Sequence, residues 1–219
     1  MNRIAIIANG EFPGTDFPRY LIGTADAVVC CDGATDNYLE FSDGRLPDAI
    51  VGDMDSIVNP GRFADIAVKI DEQDDADIAK AVKYACGRWP EATQIQIFGA
   101  TGKCEDHTIG NYGQLMQLSK DLPGHNFEII SDYTTAFVLT WNDTIDCGEG
   151  RTVSVFTPDN SLRLKSTGLQ WPLDGVVFDN WWKGVRNRSC ADRISIEFSH
   201  PSPVLIILKP QPPAASESS

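Results

Sequence analysis

The sequence predicts an α/β N-terminal domain with a mainly parallel sheet, followed by an all-β, sandwich-like C-terminal domain. Two patterns carry that expectation. In the first 134 residues, short apolar runs stop at an acid or a glycine and give way to helical spacings, as a parallel sheet with right-handed crossovers requires. Downstream, apolar and polar residues alternate with period two between turns, which marks half-buried antiparallel strands. Length agrees, since 219 residues at about 150 per domain leave room for two.

Taken in order, the chain enters a first strand almost at once, at Arg3 and Ile4. Residues 27–31 form an apolar run that meets Asp32, Gly33 and Ala34, and residues 49–51 form another that meets Gly52, Asp53, Met54, Asp55 and Ser56. A third run, 67–70, enters the acidic stretch from Asp71 to Asp77, after which Ile78, Ala81, Val82 and Ala85 recur at the spacing of a helix with one buried face. Residues 95–98 run into Gly99, Ala100, Thr101, Gly102 and Lys103, and Ile109, Tyr112 and Met116 are expected to form the buried stripe of the next helix. Strands are then expected at 151–156, 161–165, 193–198 and 204–208. The domains so drawn are 1–134, an α/β nucleotide-binding unit, and 135–209, the β unit. Residues 210–219, rich in proline and serine without an apolar pattern, read as a disordered tail.

Composition narrows the function. A formal net charge of -13 argues against a nucleic-acid backbone as partner, which needs a basic face. No run approaches the roughly 18 apolar residues of a membrane span, and the N-terminus lacks the apolar core and cleavage site of a signal peptide, so the expectation is a cytoplasmic protein. The six cysteines show no metal-ligand or redox spacing. Cys30 and Cys31, inside an apolar run, read as small core hydrophobes.

The chemistry centres on acids at strand ends. Two carboxylates about 4 Å apart repel by roughly 4 kcal/mol at an effective dielectric near 20. A fold that sets Asp53 beside Asp55 must therefore compensate them with metal, protons or cationic groups. Taken alone, the stretch reads equally as an acidic turn, with Gly52 at the bend and Asp53 or Ser56 capping a helix. Ligands of open parallel sheets bind beyond the carboxyl ends of the strands. That topology brings Asp32, Asp53, Asp55, Gln73, Asp74, Asp77 and Asp106 to one crevice. Gly99 to Lys103, between strand and helix, resembles a phosphate loop offering free amides and a helix N-terminus. It is not a Walker A loop, which needs four residues between its glycines and Ser or Thr after the lysine. Asp77 and Lys80, three apart at a helix start, read first as a surface ion pair. Asp106 with His107 reads as a base with a neighbour or as a helix cap, and His125 and His200 as turn residues beside prolines.

In that order, Asp32-Gly33-Ala34, Gly52 to Ser56 with its two aspartates, Gln73 and Asp74 with Asp77 and Lys80, Gly99 and Gly102 to Asp106, and Gly168 to Leu173 followed by Asn187 together resemble the thiamine pyrophosphokinase family. The resemblance spans nearly the whole chain up to its tail. It implies a homodimer with active sites shared between subunits, and Mg2+-dependent transfer of pyrophosphate from ATP to thiamine, giving thiamine diphosphate and AMP. By position it implies catalytic Asp32, Asp53, Asp55 and Asp77, of which Asp53, Asp55 and Asp77 are the metal ligands. ATP would be held by Lys80, Gly99, Thr101, Gly102, Lys103 and Asp106, and thiamine by Asp32, Gln73 and Asn187. Trp171, Trp181 and Trp182 are candidates to stack on thiamine, and adjacent Trp181 and Trp182 would face opposite ways if they lay in a strand.

Three positions depart from the family's usual pattern: Cys104 stands where arginine is common, Ala76 where threonine is, and Arg186 where serine is. Cysteine cannot replace a guanidinium on phosphate, so the expectation is either that Lys103 or Arg188 compensates or that the chain binds ATP weakly. Two other readings remain open on sequence. One is a metal-dependent phosphohydrolase, which explains the acids but neither the glycine loop nor the β domain. The other is a non-catalytic thiamine- or nucleotide-binding module.

Overall fold

The computed structural model describes residues 2–55, 60–71 and 75–210. Ser56, Gln73, Asp74 and the tail beyond residue 210 lie outside the described residues. The chain divides into two compact units, Met1–Asp132 and Tyr133–Ser219.

The first unit is an α/β layer structure. Its strands are β1 (Arg3–Ile7), β2 (Ala27–Cys31), β3 (Ala49–Gly52), β4 (Ala67–Lys69), β5 (Gln94–Phe98) and β6 (Asn126–Ile130). Its helices are α1 (Asp16–Gly23), α2 (Thr35–Phe41), α3 (Asp77–Arg88) and α4 (Glu105–Asp121). The strands lie in the order β6-β5-β1-β2-β3-β4, and every pair is parallel. Parallel strands are covered on both faces and so read as unbroken apolar runs. Accordingly β2 and β3 are buried throughout, as is β1 from Ile4 to Ile7.

The chain builds outward from β1 to β4, and α3 then carries it back to β5 on the other side of β1. The direction of winding therefore reverses between β1 and β5, the position at which such sheets leave a crevice at the strand ends. Helix α3 buries Ile78, Ala81, Val82 and Ala85, as its spacing predicts, together with Ala79, Lys80 and Cys86.

Helix α4 corrects the expected stripe. Ile109 is 54% exposed and Tyr112 and Met116 are half-buried, whereas Leu115 and Leu118 are buried. At about 100° per residue, Leu118 lies roughly half a turn round the helix from Ile109. The inward face is the row His107, Asn111, Leu115 and Leu118, whose first two members are polar because they border a cleft rather than the core.

The second unit contains two antiparallel sheets. One has the order β11-β9-β13-β7 and the other β10-β12-β8, from β7 (Thr135–Leu139), β8 (Asp143–Asp146), β9 (Thr152–Phe156), β10 (Leu164–Thr167), β11 (Asn187–Arg188), β12 (Arg193–Phe198) and β13 (Val204–Leu208). Val153, Val155, Val204 and Ile206 from the first sheet share one buried cluster with Ile145, Leu164, Ile194 and Ile196 from the second. That shared core makes the unit a sandwich.

Two local readings change here. Ser161 is not in a strand, because its N–H and hydroxyl both bond Asp159 Oδ1, at 2.9 and 2.6 Å, and this turn delays β10 to Leu164. Trp181 and Trp182 lie in a single 3-10 turn, Trp181–Gly184, capped by the Asn180 side chain. Strand alternation does not apply to them, and both are exposed.

Candidate active site

Asp32 follows the last residue of β2 directly. Its side chain turns back beneath the chain: Oδ1 accepts the Gly33 N–H at 2.7 Å and Oδ2 the Met54 N–H at 3.1 Å. The carboxylate is only 5% exposed, and two glycines make its position possible. A Cβ at Gly52 would lie 2.6 Å from Asp32 Cγ, and one at Gly33 would lie 2.5 Å from Asn9 Nδ2.

Asp53 and Asp55 continue from β3. Met54 between them takes a left-handed φ of 68°, and the Asp55 N–H bonds Asp53 Oδ1 at 3.3 Å, closing an Asx-type turn. One oxygen each from Asp32, Asp53 and Asp55 can be chosen so that all lie within 4.8 Å of one another. Burial, reinforced by the like charges of Asp77 and Asp53, pushes the Asp32 carboxyl above the usual range against the pull of the Gly33 and Met54 N–H groups. The Asp55 backbone N–H holds Asp53 below it. Three oxygen donors with excess negative charge suit a hard divalent cation such as Mg2+, so the donor set present fits the metal the sequence implies.

A cleft of about 520 Å³ opens beside these acids, at the winding reversal. Asp53, Asp75 and Asp77 are the acids of its lining, which also includes Lys80. Lys80 is nearly enclosed, its side chain 4% exposed, and its Nζ lies 3.6 Å from Asp77 Oδ1. The surface ion pair expected from spacing is thus a buried ammonium leaning on an exposed carboxylate. Asp77 borders the cleft without joining the group of three, whose third member is Asp32.

The opposite wall is the glycine loop. Past the sheet end, the N–H groups of Ala8, Gly10 and Glu11 bond the carbonyls of Phe98, Gly99 and Thr101 at 2.8, 2.6 and 2.8 Å. This pairing requires glycine: a Cβ at Gly10 would meet Gly99 O at 2.3 Å, and one at Gly99 would meet Ala8 O at 2.4 Å. Gly99, Gly102 and Lys103 have φ of 66°, 76° and 57°. Lys103 Nζ donates to Asn9 O at 3.0 Å and is 3.4 Å from Asn9 Oδ1. The Asn111 side chain ties down the loop through Ala100 O at 2.7 Å.

Of the residues expected to hold ATP, Lys80, Gly99, Gly102 and Lys103 line the cleft. Thr101 gives its carbonyl to Glu11, and Asp106 accepts its neighbour's N–H, that of His107, at 2.8 Å. The lining instead includes His107, Asn111, Asn9 and Gly10. Sequence signals for them lie in the Asn-Gly pair just beyond β1 and in the four-residue spacing of His107 and Asn111. Cys104 also borders the cleft. Cys31 lies at its floor, where burial pushes the thiol far above its ordinary range.

Asn187 belongs to the second unit and is 8% exposed. Its side chain is engaged with the backbone of Trp171, accepting its N–H at 3.2 Å and donating to its carbonyl at 2.6 Å. Trp171 itself is 57% exposed. Among the described residues, no helix is long and apolar enough to cross a membrane.

Comparison with known proteins joins the two halves of the chain. Thiamin pyrophosphokinase from Bacillus subtilis has a similar structure, with 21% identity, a TM-score of 0.73, and coverage of 95% of this chain and 98% of that one. The yeast enzyme gives 17%, 0.78, 95% and 86% in the same terms, and that from Candida albicans 19%, 0.72, 96% and 89%. At these identities the likeness speaks for the fold. No curated protein sequence matches the chain. The family descriptions act on the sequence itself: the catalytic domain of thiamin pyrophosphokinase matches residues 18–123, and its substrate-binding domain matches residues 136–202. Both domains of one enzyme are present in order over most of the sequence, and the chain belongs to the thiamin pyrophosphokinase family.

Proposed function

We propose that the cleft of the first unit carries out the family's reaction with Mg-ATP, transferring pyrophosphate to the hydroxyethyl group of thiamine and releasing AMP. The observation that carries this assignment is the placement of Asp32, Asp53 and Asp55 beside a cleft walled by Lys80 and the glycine loop. Asp32, Asp53 and Asp55 would hold Mg2+, which when bound neutralises phosphate charge. Lys80, Lys103 and the Gly99 and Gly102 backbone hold the phosphates, and Asp77 orients Lys80. The alcohol oxygen attacks the β-phosphorus, the bond from that phosphorus to the α,β-bridging oxygen breaks, and the alcohol proton passes to a carboxylate oxygen of the cluster. Such a transfer depends chiefly on in-line positioning and charge neutralisation, which this arrangement of acids and ammonium groups favours.

Thiamine is met by Asp32 and Gln73 of the catalytic domain and by Asn187 of the substrate-binding domain. We place the enzyme in the cytoplasm as a homodimer in which each substrate-binding domain serves the partner's catalytic domain. Trp181, Trp182 and Val185, all exposed within one short stretch of the second unit, support that arrangement, since contiguous exposed apolar groups mark interaction surfaces.

The test is product chromatography after mixing the protein with thiamine, ATP and Mg2+, beside an Asp53→Asn, Asp55→Asn variant. Equal thiamine diphosphate and AMP, lost in the variant, is the expected result. ADP or free phosphate would mean phosphoryl transfer or hydrolysis, and thiamine binding without product would mean a non-catalytic module.

A further inference from the structure

Asn9 lies just beyond β1 and lines the cleft, where its side chain touches both the glycine loop and the loop of Asp32. Its place is set by the pairs on either side of it, since the Ala8 and Gly10 N–H groups bond Phe98 O and Gly99 O at 2.8 and 2.6 Å. Toward the glycine loop, Lys103 Nζ donates to Asn9 O at 3.0 Å and reaches Asn9 Oδ1 at 3.4 Å. Toward the acids, the amide lies against Gly33, where a Cβ would be 2.5 Å from Nδ2 and 3.0 Å from Cγ. Only glycine admits the amide at that distance. Its orientation follows from charge, because the reverse arrangement would aim N–H groups at an ammonium. Oδ1 therefore faces Lys103, and Nδ2 faces the turn that begins with Asp32. Among the described residues Nδ2 has no hydrogen-bond partner, so a polarised donor stands unused at the cleft.

We propose that Asn9 is a catalytic residue, whose Nδ2 donates to a non-bridging oxygen of the phosphoryl group under attack. This rests on the reading that the cleft transfers pyrophosphate from ATP. Location decides which phosphorus is served. The alcohol gives its proton to a carboxylate of the acidic cluster, so the attacked β-phosphorus must lie next to that cluster, and Nδ2 sits beside Gly33, the neighbour of Asp32. Charge on the equatorial oxygens of the transferred group shifts as the group passes from one oxygen to the other. A donor already fixed there needs no reorganisation at that moment. An uncharged donor also suits the place, because another ammonium beside Asp32 would compete with the metal for its carboxylate. The amide keeps its protons throughout and contributes a hydrogen bond alone.

The test is steady-state kinetics on the full-length enzyme at saturating Mg2+, reading kcat and the KM values for ATP and thiamine in Asn9→Ala and Asn9→Asp. Both variants retain the backbone carbonyl that holds Lys103. Asn9→Ala is expected to lower kcat about a hundredfold while each KM stays within about threefold of wild type. Asn9→Asp keeps an acceptor for Lys103 but sets a carboxylate against phosphate, so kcat should fall further still. An unchanged kcat in Asn9→Ala would overturn the proposal. So would a wild-type kcat in Asn9→Asp, which would reduce Asn9 to a prop for Lys103, or a loss confined to the ATP KM, which would place the contact in ground-state binding. Asn9→Asp is nearly isosteric with wild type and decides the matter by itself if Asn9→Ala does not fold. Failure of the parent reading looks different, because wild type would then make no thiamine diphosphate.

Discussion

Gly52→Ala tests whether the Asp32 carboxylate belongs to the reaction centre. The added methyl would sit 2.6 Å from Asp32 Cγ and 2.8 Å from Oδ2, where ordinary contact begins at 3.4 Å. The carboxylate must therefore retreat by about 0.8 Å, lengthening its bonds to the Gly33 and Met54 N–H groups from 2.7 and 3.1 Å. A hydrogen bond to a charged group contributes about 1.5–3 kcal/mol. Weakening two without removing either should cost about 2 kcal/mol, lowering Tm by about 4–8 °C. Misplacing a reacting constellation by about 1 Å costs on the order of a hundredfold in rate. Gly52→Ala should thus lower kcat/KM about a hundredfold and demand about tenfold more Mg2+ for half-maximal rate, as one ligand of three moves off. The assay is initial rate against Mg2+ concentration with a thermal melt alongside. Gly87→Ala, whose new methyl meets nothing within 4 Å, serves as control. A Gly52→Ala enzyme with lowered Tm but wild-type rate and Mg2+ dependence would refute the reasoning, leaving Asp32 as a structural carboxylate.

Two further outcomes are expected. Lys103→Gly and Lys103→Ala should both raise the ATP KM about tenfold by removing the ammonium, but the glycine variant should be about 1 kcal/mol more stable, because φ is 57° there and only glycine adopts it without strain. Equal melting points, or an unmoved ATP KM, would sink that account. In the second unit, Asp159 accepts bonds from the Ser161 hydroxyl and N–H, His200 Nε2 and the Ser202 hydroxyl, and these hold its carboxyl far below the usual range, the Ser161 hydroxyl foremost. A depressed folded pKa stabilises above the unfolded value near 3.9 and is lost as pH falls. Asp159→Asn should lower Tm at pH 7, with the gap to wild type narrowing steadily below about pH 4 in melts across pH; a gap that widens in acid would contradict the assignment.

The apolar runs that became β2, β3, β5, β12 and β13 were legible because each is either buried on both faces or strictly alternating, so composition and period alone identify it. Strands β7 and β8 were not, since Thr135–Leu139 is only partly buried and Asp143–Asp146 exposes three of its four residues. The site divides in the same way. Asp53 and Asp55 announce themselves by proximity in sequence, and the glycine loop by its position after a strand. Asp32 joins them through the sheet, because β2 lies beside β3; the expected parallel topology supplies that neighbour, and no sequence spacing does. Helix α4 misled because its inward face begins with His107 and Asn111. Apolar recurrence alone points to Ile109, which is exposed, and misses the polar half of the inward stripe. The bonds of Asn187 to the Trp171 backbone were hidden because side-chain-to-backbone contacts across sixteen residues leave no local pattern.

The charge distribution bears on the form in which the nucleotide must arrive. The first unit holds ten lysines and arginines against twenty-two aspartates and glutamates, which accounts for nearly all of the chain's net charge of -13. A bare nucleoside triphosphate would approach that field at a cost, and at the cleft it would meet Asp53, one of three carboxylates clustered within 4.8 Å. At an effective dielectric near 20, each fully ionised pair at that separation repels by roughly 3 kcal/mol. Lys80 and Lys103 are too few to offset both the cluster and the phosphates, and Lys80 is already shared with Asp77. A divalent cation carried in with the nucleotide resolves both problems at once, because the charge that screens the phosphates also meets the carboxylates. If the cleft takes Mg-ATP as proposed, the acidic cluster would select the metal complex over the free triphosphate: without the ion the two anionic partners repel, and with it the same carboxylates would serve as ligands.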